Sequence, residues 1–118
     1  KSMEEFEATG VMTLAEAEKL YTLKREKGSV IITRYKDDTS PDADVVIPRV
    51  IGKSPVTGIN INTFSGNENI RSVTIPEGVK TIGEFAFDRC SNLQSVTFPK
   101  SLREMALGVF TDCKRLGS

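Results

Sequence analysis

Ile70-Arg-Ser-Val-Thr-Ile-Pro-Glu-Gly-Val-Lys-Thr-Ile-Gly-Glu-Phe-Ala-Phe-Asp-Arg-Cys-Ser-Asn-Leu93 decides the fold, because the next stretch repeats it. From Leu93 the chain runs Leu93-Gln-Ser-Val-Thr-Phe-Pro-Lys-Ser-Leu-Arg-Glu-Met-Ala-Leu-Gly-Val-Phe-Thr-Asp-Cys-Lys-Arg-Leu116. Val73 and Val96, Pro76 and Pro99, Val79 and Leu102, Ile82 and Met105, Phe87 and Phe110, and Cys90 and Cys113 are each 23 residues apart. A degenerate third copy lies upstream, where Val56, Ile59, Phe64 and Ile70 precede Val79, Ile82, Phe87 and Leu93 by the same 23. A fixed period of this length is the signature of a solenoid, in which no coil buries its apolar side alone.

The expected architecture is an α/β repeat solenoid of 23-residue coils with stacked parallel strands. Stacking places Val73 over Val96, Ile75 over Phe98, Ile82 over Met105 and Phe87 over Phe110 in one continuous core. Ser72 to Ile75 and Ser95 to Phe98 alternate polar and apolar residues, the pattern of a half-buried strand. Pro76 and Pro99 end these strands, since proline cannot donate to a ladder. Lys80 to Ile82 and Arg103 to Met105 read as a second short strand. Glu84 to Arg89 and Leu107 to Asp112 read as a short helical turn on the return path.

The pattern L-x-x-V-x-x-P-x-x-V-x-x-I-G-x-x-A-F-x-x-C-x-x-L resembles the BspA-type leucine-rich repeats of bacterial surface proteins. Residues 70–93 match it almost throughout. The last coil departs at Ala106 and Val109, and the copy before residue 70 has Thr63 in place of Ala and Asn67 in place of Cys. Val46-Ile47-Pro48, with Gly52-Lys53 and Pro55-Val56-Thr57 after it, looks like the opening of such an array, with Ile47-Pro48 upstream of the register. The array is assigned to residues 45–118, about three coils, and reads as the first part of a longer one.

Residues 1–12 show no periodicity and are assigned to a mobile lead-in. Residues 13–44 form an N-terminal unit. Thr13-Leu-Ala-Glu16 is a capping box, in which hydroxyl and carboxylate satisfy free N–H groups at a helix start. Tyr21 to Arg25 and Val30 to Tyr35 flank Glu26-Lys27-Gly28-Ser29 and read as a β-hairpin. The competing reading is a longer helix through Lys27 with Gly28 as its C-cap. A hairpin here would cap the first coil, whose apolar end otherwise faces water. Lys36 to Asp44 is an acidic loop. The chain begins at Lys1 with no apolar signal core after it, so either a leader has been removed or the chain is a piece of something longer.

Composition narrows the function. Sixteen basic and sixteen acidic residues cancel, which excludes a strongly basic nucleic-acid binder and argues against membrane capture by charge. No apolar run approaches the ~20 residues of a membrane span. There is no His, hence neither the commonest general base nor the commonest transition-metal ligand. Two Cys alone do not make a four-ligand zinc site. The expectation is a non-enzymatic chain with no catalytic residue, cofactor or metal.

Motifs that suggest more have simpler readings. Asp37, Asp38, Asp42 and Asp44 place four carboxylates within eight residues, yet they lack the Gly and final Glu of an EF-hand loop. They read as a solvated connection, with calcium left open. Gly52-Lys53-Ser54 echoes a phosphate loop, but the required earlier glycine falls at Ile47. Cys90 and Cys113 read as stacked, reduced, buried thiols. Phe64, Phe87 and Phe110, one per coil, read as core. Asn-x-Ser/Thr does not occur.

What remains is surface. Arg71, Ser72, Thr74, Gln94, Ser95 and Thr97 face outward from the strands and form the candidate protein-binding face. By resemblance, the chain is a monomeric interaction or adhesion module of a secreted or surface-attached bacterial protein. Its partners would be a protein, host extracellular proteins included, or a cell-surface glycan, without nucleic acid or membrane insertion. The alternative is a passive spacer that positions another domain.

Overall fold

The computed structural model describes residues 9–37 and 39–117. Asp38 of the acidic loop and residues 1–8 of the assigned lead-in lie outside them. The chain order is β1 (Val11–Met12), α1 (Leu14–Leu20), β2 (Tyr21–Glu26), β3 (Ser29–Tyr35), β4 (Ala43–Val46), β5 (Val50–Ile51), β6 (Ser54–Ile59), β7 (Ile70–Thr74), β8 (Thr81–Ile82), β9 (Ser95–Thr97) and β10 (Glu104–Met105).

Helix α1 starts as its sequence dictates. Thr13 Oγ1 accepts from the Glu16 N–H at 3.1 Å, and Glu16 Oε1 accepts from the Thr13 N–H at 3.2 Å. The helix ends at Leu20, and the chain turns directly into an antiparallel β2–β3 hairpin. Lys27 and Gly28 at its tip have φ of 44° and 85°, the left-handed pair a tight hairpin turn needs. Val11–Met12, within the stretch assigned to the lead-in, instead pairs parallel with β5, and Met12 is buried.

Two parallel ladders run along the coils. In the first, β4, β7 and β9 lie side by side, with Val45, Val73 and Val96 in one row. In the second, β3, β6, β8 and β10 follow in order, with Ile32, Ile59, Ile82 and Met105 in one row. An aromatic column joins the ladders through the interior. Tyr21, Tyr35, Phe64, Phe87 and Phe110 follow one another at centroid distances of 5.6, 5.1, 4.8 and 5.6 Å. The hairpin strand β3 thus sits where a coil would, with Ile32 in the place of Ile59 and Tyr35 in the place of Phe64.

The first coil is longer than the others. Pro48 and Val56 are eight residues apart where Pro76 and Val79 are three apart. The five extra residues form the antiparallel β5–β6 turn around Gly52-Lys53, to which β1 adds. Removing them brings Val45-x-Ile47-Pro48 into line with Val73-x-Ile75-Pro76. β4 is accordingly the first strand of the array, so Ala43 and Asp44, assigned to the acidic loop, belong to a strand.

The return path departs from the helical turn expected over residues 84–89 and 107–112. It is a run of tight turns, closed by Gly83 O to Ala86 N, Phe85 O to Asp88 N and Phe87 O to Cys90 N at 3.1–3.3 Å. The intervening N–H groups donate forward to the next coil. Asn62, Phe64 and Gly66 donate to Glu84, Ala86 and Asp88; Phe85, Phe87 and Arg89 donate to Leu107, Val109 and Thr111. This zigzag needs positive φ at two places per coil: Asn62, Phe85 and Gly108, then Gly66, Arg89 and Asp112. Gly, Asn and Asp tolerate that region best.

The core runs from Met12 to Val109, with Phe87 fully buried. Its far end is open. Phe98, expected to be stacked inside on Ile75, is 45% exposed, and Met105 is 49% exposed. Each packs on the preceding coil and, among the described residues, has no coil on its other side. Phe98 instead meets the edge of Phe110 at 6.0 Å.

Candidate functional site: the outer face of the first ladder

Strand register brings the candidate residues together. Asp44, Ser72 and Ser95 form one row, and Val46, Thr74 and Thr97 the next. Neighbouring strands stand about 4.8 Å apart, so the rows make one small hydroxyl-rich ridge. Ser95, Thr97 and Arg71 are exposed, and Ser72, Thr74 and Gln94 are partly covered.

Arg71 is already engaged. Its Nε donates to Asp44 Oδ1 at 3.0 Å and its Nη2 to Asp44 Oδ2 at 2.5 Å, a two-pronged clasp that Ser72 Oγ joins at 2.8 Å. Hydrogen bonds from Arg71 and then Ser72 hold the Asp44 carboxyl below the usual carboxylate range, and Asp44 raises Arg71 in return. Both side chains are about half exposed, so water screens the attraction and its main effect is to orient the guanidinium. Gln94 turns sideways: its Nε2 lies 3.4 Å from Asn92 Oδ1.

Sequence reasoning missed the partners. In the sequence Asp44 falls at the end of the acidic loop, and its alignment with Ser72 is visible only once the five-residue insertion is removed. Asn92 donates to Asp42 Oδ1 at 2.9 Å and accepts from Arg115 Nη1 at 3.1 Å. Asn69, Asn92 and Arg115 are 23 residues apart, a signal present in the repeat itself. Val46, 48% exposed, adds an apolar spot beside Thr74.

Other motifs do not converge on chemistry. Asp37 accepts from the Ser40 hydroxyl at 2.6 Å and from the Thr39 N–H at 3.0 Å. Among the described residues, no group of three His, Cys, Asp or Glu is placed to hold a metal ion. Lys53 follows Gly52 in the β5–β6 turn rather than opening a helix. Cys90 and Cys113 are both free thiols. Each Sγ faces the carbonyl of the preceding coil's phenylalanine, Phe64 at 3.1 Å and Phe87 at 3.0 Å. Cys90 is buried as expected, but Cys113, in the last described coil, is only partly covered. Among the described residues, no helix is long and apolar enough to cross a membrane.

Parallel coils, a strand ladder and a tight-turn return path define a leucine-rich repeat solenoid. A family model described as "BspA type Leucine rich repeat region (6 copies)" matches residues 46–118. The chain belongs to the BspA-type leucine-rich repeat family. Two solved structures are similar at useful identity. The leucine-rich repeat protein of T. pallidum is 31% identical with a TM-score of 0.78, the match covering 83% of this chain and 45% of that one. A leucine-rich repeat protein from Bacteroides ovatus is 30% identical with a TM-score of 0.74, covering 84% of this chain and 27% of that one. This chain therefore spans less than half the length of either. A leucine-rich repeat protein from Bacteroides capillosus shares the fold at 24% identity and a TM-score of 0.65, covering 83% of this chain and 91% of that one. Among curated proteins, no match is found.

Proposed function

We propose that the chain is a non-enzymatic protein-binding module of a secreted or surface-attached bacterial protein, and that it binds through the outer face of the β4–β7–β9 ladder. The observation that carries this reading is the clasp of Arg71, Asp44 and Ser72 beside the Thr74–Thr97 row. It holds a guanidinium, a residue type enriched at interface hot spots, in one orientation on an otherwise neutral hydroxyl surface. The α1–hairpin unit serves as the cap of the first coil, its strand β3 occupying a coil's position.

The test is a binding screen of host extracellular proteins against wild type, an Arg71→Glu/Thr97→Lys double variant and Asp44→Ala, with folding checked by circular dichroism. The double variant should lose the captured partner. Asp44→Ala should change affinity, because it releases the guanidinium. A partner bound equally by all three would place recognition elsewhere. Failure of wild type to capture any protein would favour the spacer reading.

A further inference from the structure

On the outer side of the second ladder, a groove of about 570 Å³ crosses β3, β6, β8 and β10 in turn, touching Ile31, Ile59, Thr81 and Met105. Because it crosses the strands in ladder order, it runs along the solenoid axis, and three steps of about 4.8 Å make it about 14 Å long. Ile31 lies on this outer side although Ile32 fills the core. A Cβ on the buried Gly58 would meet Thr81 Oγ1 at 3.0 Å and Ile31 Cγ1 at 3.5 Å, so these two side chains close over β6. The N–H groups of Asn60, Gly83 and Ala106 along the groove donate to the Ile32, Ile59 and Ile82 carbonyls. Contacts to this floor are therefore left to side chains.

The rim toward the return path, the arc of tight turns, is apolar. Ile61 follows Asn60 and Leu107 follows Ala106; they hold the same place two coils apart and are 51% and 75% exposed. The coil between them carries Phe85, also exposed, with φ of 58°. Corresponding positions hold Asn62 and Gly108, residue types that suit the left-handed region, whereas a bulky side chain is an outlier there. The ring lies against Gly108, where a Cβ would sit 2.7 Å from Phe85 Cδ1. The turn asks only for Gly or Asn at this place, so the aromatic ring is there at the expense of backbone strain. Arg103 stands in the groove wall and makes no ion pair with a described residue.

We infer that this groove is a second binding site, and that it takes an amphipathic helix of a partner protein. Ile61 and Leu107 are two coil steps apart, about 9.6 Å along the axis, and helix residues i and i+7 are about 10.5 Å apart. A helix laid in the groove thus sets its i, i+4 and i+7 side chains over three successive coils, the anchor spacing of helix-in-groove recognition. A carboxylate near its end would meet the unpaired Arg103. An extended strand fits worse, since its same-face side chains recur every ~6.8 Å and the floor N–H groups are already used. The site shares no residue with the β4–β7–β9 face and does not depend on its role.

The experiment titrates the full chain with a panel of lactam-bridged helices carrying Leu, Ile, Met or Phe at i, i+4 and i+7 and a terminal Glu, read by amide chemical shifts. The helices should move resonances of Asn60, Thr81, Gly83 and Ala106 while leaving Ser72 and Ser95 still. Ile61→Asp and Leu107→Asp, at exposed positions that leave the core intact, should each weaken the best helix about fivefold or more. Arg103→Glu should weaken it about threefold and leave its Gln counterpart unchanged. If no helix moves the groove resonances, or if both aspartate variants bind as wild type does, the inference is wrong. It is equally wrong if unbridged peptides with the same anchors at alternate positions bind as well, for the occupant is then a strand.

Discussion

Gly83 shows how closely successive coils approach. A Cβ built there would lie 2.7 Å from the Ile61 nitrogen and 2.8 Å from the Asn60 carbonyl carbon, both backbone atoms that cannot rotate away. Gly83→Ala should therefore cost about 1–3 kcal/mol, the range for overpacking, read as a lowered urea midpoint. Gly52→Ala, where nothing lies within 4 Å but φ is +64°, should cost only the ~1 kcal/mol of a left-handed alanine. The two cysteines separate in the same way. Burial pushes Cys90 up to about 12 and raises Cys113 as well, so neither thiol is an active nucleophile near neutrality. A maleimide should label Cys113 slowly in the native protein and Cys90 only after unfolding, checked by mass analysis of tryptic fragments. Asp37 gives the acid limb. Its bond from the Ser40 hydroxyl, with those from the Thr39 and Ser40 N–H groups, lowers the carboxyl from 3.8 to about 2. A depressed folded-state value means a contribution present above the ordinary value and lost as pH falls through the folded one. Stability measured from pH 5 to pH 2 should fall less steeply in Asp37→Asn than in wild type.

Among the elements, the hairpin and the first coil are joined by the two residues that depart from the repeat. Thr63 stands where later coils have Ala86 and Val109, and its Oγ1 donates to Asn60 O at 2.8 Å and lies 3.1 Å from Ile32 O. Asn67 stands where they have Cys90 and Cys113. Its Nδ2 donates to Asp37 O at 2.9 Å while its Oδ1 accepts from the Asn69 N–H at 2.9 Å. Both are buried. Restoring the motif with Thr63→Ala and Asn67→Cys should raise amide exchange across β3 and residues 36–37, with β7 left protected. Equal protection in the double variant would show that apolar packing alone holds the hairpin. These two residues also mark the limit of sequence reading. The period made the coils, their stacked pairs and the core phenylalanines legible, because identical neighbours impose identical spacing. It could not reveal Tyr35 as a rung of the aromatic column, since β3 joins the stack 29 residues before Phe64 rather than 23. It also hid Asp44, displaced from Ser72 by an insertion that only pairing shows to be a turn. Phe98 departs from its expected burial because a repeat pattern says which side chains point inward, not whether another coil covers them.

Across the whole molecule, burial falls along the solenoid axis. Phe87 has aromatic neighbours on both sides at 4.8 and 5.6 Å, whereas Phe110 has its stacked neighbour on one side only. Phe87→Ala should cost about 3–5 kcal/mol, and Phe110→Ala clearly less, both from urea midpoints with unchanged slopes. Equal losses would mean that the last coil is packed as firmly as the middle one. Nearest-neighbour energetics of this kind are expected where each coil touches only the next.

The arc ladder has a genetic consequence. Every rung leaving the coil that starts at Ile70 is chemically the same as the rung entering it: a backbone N–H forward, a backbone carbonyl back, and a phenyl ring on a phenyl ring. Duplicating 23 codons within this segment would add one new junction, the coil on its own copy, with the same backbone rungs and the same phenyl-on-phenyl stack as the existing ones. Unequal recombination can thus lengthen or shorten the rod in whole turns while leaving the reading frame intact. Only the stretch keyed by Thr63 and Asn67 is exempt, because its rungs are made to fit one neighbour alone.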